Sequence, residues 1–291
     1  MTKILVAGAS GYLGKYILEE LDSWGIPVLA LVRAPEKLKD LNHRNMKIVK
    51  AEVTRPETLV GVCKGVDTVI STVGITRQKD GLTFMDVDYH ANLNLLKEAE
   101  RTGVRKFIYV SVIDGDKLRN LKTTEAKERF VATLKASGLE YTVILPNGFF
   151  SDLREVLFMA EKGRVVLFGD GELKINPIHG ADLAEVCVRA IAQKEKEIAV
   201  GGPDILTQNE IAEMALYAWN KPADIVHLPR WSRSLLLNTA KIFLTEQRFG
   251  PLEFFLTLMA RESIAIRHGR HRLQDFFNQE VQQLKQPSNE K

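Results

Sequence analysis

The residues Gly8-Ala9-Ser10-Gly11-Tyr12-Leu13-Gly14 follow an apolar run, Ile4 to Ala7, and open a segment with helical spacing. Glycines spaced G-x-x-G-x-x-G permit a tight turn and close approach of backbone to a ligand. A helix N-terminus just behind them favours an anion. The chemistry this predicts is binding of a dinucleotide pyrophosphate by Gly8, Ser10, Gly11, Tyr12, Leu13 and Gly14. A merely structural turn is the alternative, because the spacing is offset from the usual G-x-G-x-x-G. About 20 residues past the glycines an NAD site carries an acid that accepts from the ribose hydroxyl. Arg33 stands there instead, and no acid occurs from Leu29 to Ala34. A guanidinium can fork onto a 2′-phosphate, with Lys37 adding charge one turn later. NADP (NADPH) rather than NAD is the expected cofactor; an arginine on a solvated loop is the other reading.

These residues need a scaffold, and the first 150 residues supply one. Apolar, β-branched runs at Ile4 to Ala7, Val28 to Val32, Met46 to Val49, Val66 to Ile70, Phe107 to Val112 and Tyr141 to Leu145 predict strands covered on both faces. Helical patterns lie between several of them, over Leu13 to Trp24, Asp86 to Thr102 and Lys127 to Ser137, and Gly25, Gly103 and Gly138 follow as stops. Strand–helix alternation of this kind predicts an α/β fold with a doubly wound parallel sheet.

With those elements in place the chain resembles an atypical short-chain dehydrogenase/reductase, of the NmrA-like and isoflavone-reductase-like branch. The residues that carry the resemblance are Gly8 to Gly14, Leu31-Val32-Arg33, Ser71-Thr72-Val73-Gly74, Tyr109-Val110-Ser111, Tyr141 to Pro146 and Asn176 to Ala184. It implies a Rossmann fold and an NAD(P)H-dependent oxidoreductase acting on a small, apolar molecule. It also implies roles. Thr72, Val73 and Gly74 would lie against the adenosine ribose, and Glu52 and Val53 against the adenine. Pro146, Asn147, Gly148 and Phe149 would line the nicotinamide. Ser111 occupies the place of the catalytic serine, and Lys127 that of the lysine holding the nicotinamide ribose.

The chain departs from the family at Thr123, four residues before Lys127, where the classical members carry a tyrosine proton donor. Threonine is far too weak an acid for that role. Lys127 could act as acid/base if burial lowers its pKa, or Tyr89 or His90 could approach from the side. Without catalysis, the reading is an NADP-binding redox sensor or complex-assembly factor.

After Leu145 the rhythm changes. Helices are expected over Asp152 to Glu161, Ala181 to Ala192 and Gln208 to Trp219, with short strands at Arg164 to Phe168 and Lys174 to Ile178. The expected domains are 1–150, dinucleotide-binding, and 151–291, a smaller and mainly helical substrate region interleaved with the first. His179 and the loop residues Arg77, Gln78 and Lys79 are candidates for meeting a substrate, against ordinary structural or solvated roles. The tail from Trp231 to Leu284 reads as Leu- and Phe-rich helices. They could form a lid over an apolar pocket, a dimer interface, or an amphipathic helix at a membrane or a protein complex. Arg267 to Arg272 concentrates positive charge as a solvated turn or a phosphate-facing one.

Composition bounds all of this. The 291 residues are 45% hydrophobic and 26% charged, which excludes disordered, collagen-like and disulfide-scaffold classes. Lys plus Arg is 40 against 37 for Asp plus Glu, and a charge of +3 gives no reason to expect nucleic acid. Cys63 and Cys187 have no metal-ligand spacing and are expected as small buried hydrophobes. No leader-like apolar region and no run of ~18 apolar residues occurs, so the expectation is a cytoplasmic protein, monomer or homodimer.

Overall fold

Short β-branched runs form strands because such side chains fit a pleated surface covered on both sides. In the computed structural model, which describes residues 3–41, 43–75 and 81–286, β1 is Ile4–Ala7, α1 Tyr12–Ser23, β2 Val28–Val32, β3 Met46–Lys50 and β4 Thr68–Ser71. A π-helical stretch, Met85–Ala91, leads into α2 (Asn92–Thr102), β5 (Lys106–Val110), α3 (Lys122–Ala136) and β6 (Glu140–Pro146). There follow α4 (Arg154–Glu161), β7 (Val165–Phe168), β8 (Lys174–Ile175), α5 (Gly180–Arg189), β9 (Glu197–Gly201) and β10 (Leu206–Thr207). The chain ends with α6 (Gln208–Ala218), β11 (Ile225–Leu228), α7 (Arg230–Phe243), α8 (Glu246–Leu258), β12 (Ile266–Arg267) and α9 (Leu273–Lys285). Two compact units result, one of Met1–Pro146 with Leu183–Ala199, the other of Asn147–Asp182 with Val200–Lys291.

In the first unit the strand order is β9-β6-β5-β4-β1-β2-β3, and the end of β9, in the second unit, carries β12 as an eighth strand. This is the doubly wound Rossmann order, with its reversal between β1 and β4. Every residue of β1, β2, β4 and β5 is buried, while the edge strand β3 is blunted by Lys47 and Lys50. The parallel registers set Leu31, Ala7, Ser71, Tyr109 and Val143 side by side across five strands. One or two residues past that row the chain reaches Gly8, Arg33, Thr72 and Ser111. Leu183–Ala199 is tied to this unit by Lys106. Its buried ammonium donates to the carbonyls of Ala190 (2.6 Å) and Gln193 (2.5 Å), just beyond the end of α5. A cation there also offsets the helix dipole.

Two sequence expectations shift here. The strand expected at Val66 to Ile70 is Thr68–Ser71, and the helix expected from Lys127 starts five residues earlier, at Lys122. Its first turns carry few apolar residues, so periodicity missed them. Thr123 and Thr124 point inward regardless, and the Thr124 hydroxyl donates to the carbonyls of Leu118 and Leu121.

The second unit packs Phe150, Leu157, Ile211, Leu216, Phe276 and Phe277 into one core. The strand expected to reach Ile178 ends at Ile175 and pairs antiparallel with β10, while β7 pairs parallel with β11. A capping box between Thr207 and Glu210 starts α6.

Candidate functional site

The glycine loop is shaped by contacts that only glycine permits. Gly8 has φ +77°, and a Cβ there would lie 2.5 Å from Thr72 Oγ1. A Cβ on Gly14 would lie 2.2 Å from the Gly8 carbonyl oxygen and 2.8 Å from Ala9 Cα. Gly11 caps α1 with no side-chain bond, and the first turn holds no acid. That end therefore offers backbone donors beyond the reach of any intrahelical carbonyl. Ser10 is half-buried in the turn, Leu13 is buried and Tyr12 opens the helix. Gly14→Ala is expected to cost about 1–3 kcal/mol, because backbone rather than a flexible side chain must move; a thermal melt equal to wild type would contradict this packing.

At the next strand ends, Arg33 is exposed immediately after β2, and Lys37 is exposed in a short 3-10 turn, Pro35–Leu38. Glu52, half-buried beyond β3, accepts from Thr54 (3.2 Å). Val53 packs on the core, and its carbonyl accepts from Asn94 (3.1 Å). Thr72 donates to the Ala7 carbonyl (3.1 Å), joining the loop after β4 to the glycine turn.

The sequence pointed to Lys127 but not to its partner. Lys127 Nζ lies 2.8 Å from Oδ1 of the fully buried Asp88, whose Oδ2 accepts from the Ile75 N–H (3.1 Å). Gly74 lies directly over the pair, since a Cβ there would come within 2.8 Å of Asp88 Oδ1 and 2.9 Å of Lys127 Nζ. Asn92, one turn after Asp88, accepts from Ser71 Oγ (2.6 Å) and donates to the Val73 carbonyl (3.2 Å), bracing the same loop. Ser111 Oγ is buried with no hydrogen-bond partner among the described residues, and the Lys127 ammonium, 5.7 Å from the Tyr109 ring centre, interacts with the Tyr109 hydroxyl as well as with Asp88. Buried hydroxyls without partners are uncommon and ask for one from outside the chain.

The electrostatics correct one expectation. Burial acts to lower Lys127, but the Asp88 carboxylate outweighs it and holds the ammonium above its ordinary range. Burial raises Asp88, and Lys127 opposes the rise only in part. The proton of the pair therefore stays on Lys127 at neutral pH, so burial does not make this lysine a ready base. Burial also pushes the Tyr109 phenol up to about 12, keeping it a neutral donor. Tyr89, half-buried under Arg129 (4.7 Å), and the exposed His90 directly follow Asp88 in sequence. It is Asp88 that reaches Lys127. A carboxylate on the buried stripe with Val87, Ala91 and Leu95 was the available signal, and its place in a π-helical turn fits the tendency of such turns to occur at functional sites.

The remaining candidates are shared between the two units. Pro146 ends β6 in the first unit, whereas Asn147, Gly148 and Phe149 open the second. Asn147 spends its amide on Asn176 Oδ1 and the Ser263 carbonyl, both at 2.6 Å. Gly148 turns with φ +75°, and the Phe149 N–H donates to Asp152 (3.1 Å). Arg77, Gln78 and Lys79 lie outside the described residues. In the stretch from Arg267 to Arg272, buried Asp182 takes the backbone N–H groups of Arg270 and His271 (both 3.1 Å) and His271 Nδ1 (2.7 Å). Arg272 pairs with Asp204 and Arg267 donates to the Pro203 carbonyl, so this charge is anchored locally. Among the described residues no group of acids, histidines and cysteines could hold a metal, and Cys63 and Cys187 are free, buried thiols.

His179 stacks on His271 at 4.3 Å and accepts from the Ala181 N–H (3.2 Å). Burial first, then the His271 ring, pushes its imidazole down to about 4. An unfolded histidine titrates near ~6.5, so between these values the unfolded chain binds more protons. Stability present above ~6.5 should then be lost as pH falls toward 4, by up to about 3 kcal/mol. His179→Asn keeps an acceptor and should flatten that slope in denaturant titrations; an unchanged slope would assign the acid sensitivity elsewhere.

Residues 8–194 match the family described as NAD(P)H-binding. The chain belongs to that family. Within it, the chain is similar to atypical short-chain dehydrogenases/reductases of the NmrA-like, isoflavone-reductase-like branch. An isoflavone reductase homologue of Nicotiana tabacum is 27% identical, over 97% of this chain and 89% of that one. The photosystem II assembly factor Ycf39 of Synechocystis is also 27% identical, over 65% of this chain, and the match spans only 58% of that protein's length. A crystal structure of isoflavone reductase superposes with a TM-score of 0.72 at 21% identity, covering 96% of this chain and 99% of that one. The Rossmann fold is thereby shared. The family's nicotinamide nucleotide fits the residues present: a cradle closed to a Cβ at Gly8 and Gly14, an acid-free helix N-terminus, and a buried Ser111 hydroxyl lacking a partner among the described residues.

Proposed function

We propose that the protein is an NADPH-dependent reductase of a small, apolar molecule. One observation carries the reading: the Lys127–Asp88 pair sits under Gly74 and against Tyr109, within the unit that also bears the glycine turn and the buried Ser111 hydroxyl. NADPH, when bound, supplies a hydride. The chain's own residues do the rest. The turn from Gly8 to Gly14 and the first turn of α1 hold the pyrophosphate, and Arg33 with Lys37 holds the 2′-phosphate. Glu52 and Val53 border the adenine, Thr72 to Gly74 the adenosine ribose, and Pro146 the nicotinamide. Lys127, kept protonated by Asp88, clamps the nicotinamide ribose and presents its ammonium to negative charge developing on a substrate oxygen. Ser111 and Tyr109 donate from the strand end. Calorimetric titration with NADPH, NADP+, NADH and NAD+ tests the cofactor, and loss of NADPH absorbance with a panel of small enones and quinones tests the reaction. NADPH is expected to bind at least about tenfold more tightly than NADH, a difference of ~1.4 kcal/mol.

Thr123 supports a second reading, a non-catalytic NADP-binding sensor or assembly factor, because threonine is too weak an acid for the role of the family tyrosine at that position. Tight nucleotide binding with no oxidation of NADPH by any of the panel would favour it over the reductase.

A further inference from the structure

We propose that α7 is a docking element that lays the protein on an anionic lipid surface. The argument is independent of the cofactor reading. Helix α7, Arg230–Phe243, buries none of its residues. Its inward side is the half-buried Arg233, Leu237 and Ala240. At 3.6 residues per turn, Trp231, Leu235 and Ile242 fall within roughly 40° of one another on the opposite side. They are 68%, 59% and 78% exposed, and Phe243 at the end of the helix is 80% exposed. Single exposed apolar residues are unremarkable, but a stripe of large ones on the outward face of one helix marks an interaction surface.

Charge decides the occupant. The 14 residues RWSRSLLLNTAKIF contain three basic residues, Arg230, Arg233 and Lys241, and no acid. Arg230 shares its charge with Asp170 at 3.0 Å, and together with Lys241 it lines one flank of the apolar stripe. Packing this face on a second copy would bring two basic helices together, whereas an anionic surface neutralises the basic flank. An apolar stripe with Trp and Phe, edged by Lys and Arg, is how helices lie in the interfacial plane of a bilayer, with long basic side chains reaching the headgroups. Among the described residues no helix is long and apolar enough to cross a membrane, so the contact is one of lying on the surface.

Co-sedimentation of the full chain with phosphatidylglycerol vesicles, against phosphatidylcholine vesicles, tests this. Pelleting with the former only, weakened by salt, is expected. The Trp231→Ser/Ile242→Ser variant should reduce partitioning by roughly tenfold or more, as should Lys241→Glu to a smaller degree, with nucleotide binding unchanged in both. Absence of pelleting, equal pelleting with both lipids, or pelleting unaffected by the double variant overturns the proposal. So does a dimer in solution that the double variant converts to a monomer, because the second copy would then be the occupant.

Discussion

Asp88→Asn should destabilise the protein by about 3–5 kcal/mol at neutral pH, the cost of leaving one member of a buried ion pair without its counter-charge. The asparagine oxygen can still accept from Ile75, but its NH2 group then faces the Lys127 ammonium, donor against donor. With the carboxylate gone, burial, the largest influence on Lys127, is opposed only by Tyr109, and the pKa should fall below the ordinary ~10.4. The sign of the pH dependence follows. In the wild type the folded pKa of Lys127 is raised, so its stabilisation is intact below ~10.4 and lost above. In the variant the folded pKa is depressed, so the unfolded chain binds more protons and stability rises with pH toward ~10. The gap between the two proteins should narrow as pH rises from about 7 to about 9.5, measured by denaturant unfolding. Asp88→Leu/Lys127→Met removes both charges and should recover much of the stability while abolishing NADPH turnover and weakening nucleotide binding. If that double variant turned over NADPH normally, Lys127 would leave the site and the pair would be purely structural.

The contrast between Lys127 and Asp88 shows what the sequence could carry. Lys127 was legible because its place relative to Ser111 and the glycine turn follows from a motif order. Asp88 was not, because a carboxylate on a helix reads as a solvated charge until its partner is known, and Lys127 lies far along the chain. The same holds for Asn92, whose role is to join Ser71 to the Val73 carbonyl across the loop. Strands β1 and β2 were read to the residue, since apolar runs bounded by Gly8 and Arg33 leave little choice. Strand β9 was missed because its start lies in the charged run Lys194-Glu195-Lys196-Glu197, although its chain pairs beside β6 through the Val143 N–H and the Lys196 carbonyl (2.8 Å). The C-terminal helices show the limit of hydrophobicity as a signal. Phe276 and Phe277 in α9 are core, while Ile242 and Phe243 in α7 are open to water, and composition does not separate the two pairs.

Arg33→Asp is expected to reverse the nucleotide preference. The residue follows β2 directly, one strand over from the glycine turn, where a ribose 2′-substituent is read in Rossmann proteins. Hydrogen bonds from a guanidinium to a charged group contribute ~1.5–3 kcal/mol. NADPH affinity should therefore fall by roughly one to two orders of magnitude. NADH affinity should hold or improve, because the new carboxylate can accept from the ribose hydroxyls and repels only the phosphate. Arg33→Lys should land between the two proteins, since an ammonium keeps the charge and loses the fork. Lys37→Ala should cost less, as the removal of a point charge in a solvated turn. The exposure of Arg33 makes these variants informative, because surface substitutions of this kind usually leave folding within about 0.5 kcal/mol. The NADPH preference should also weaken with added salt in the wild type and not in Arg33→Asp, as screening acts on the phosphate contact. If calorimetry gave the same NADPH-to-NADH ratio for wild type and Arg33→Asp, the 2′-phosphate would be held elsewhere, and the assignment of the end of β2 as the cofactor selector would fall.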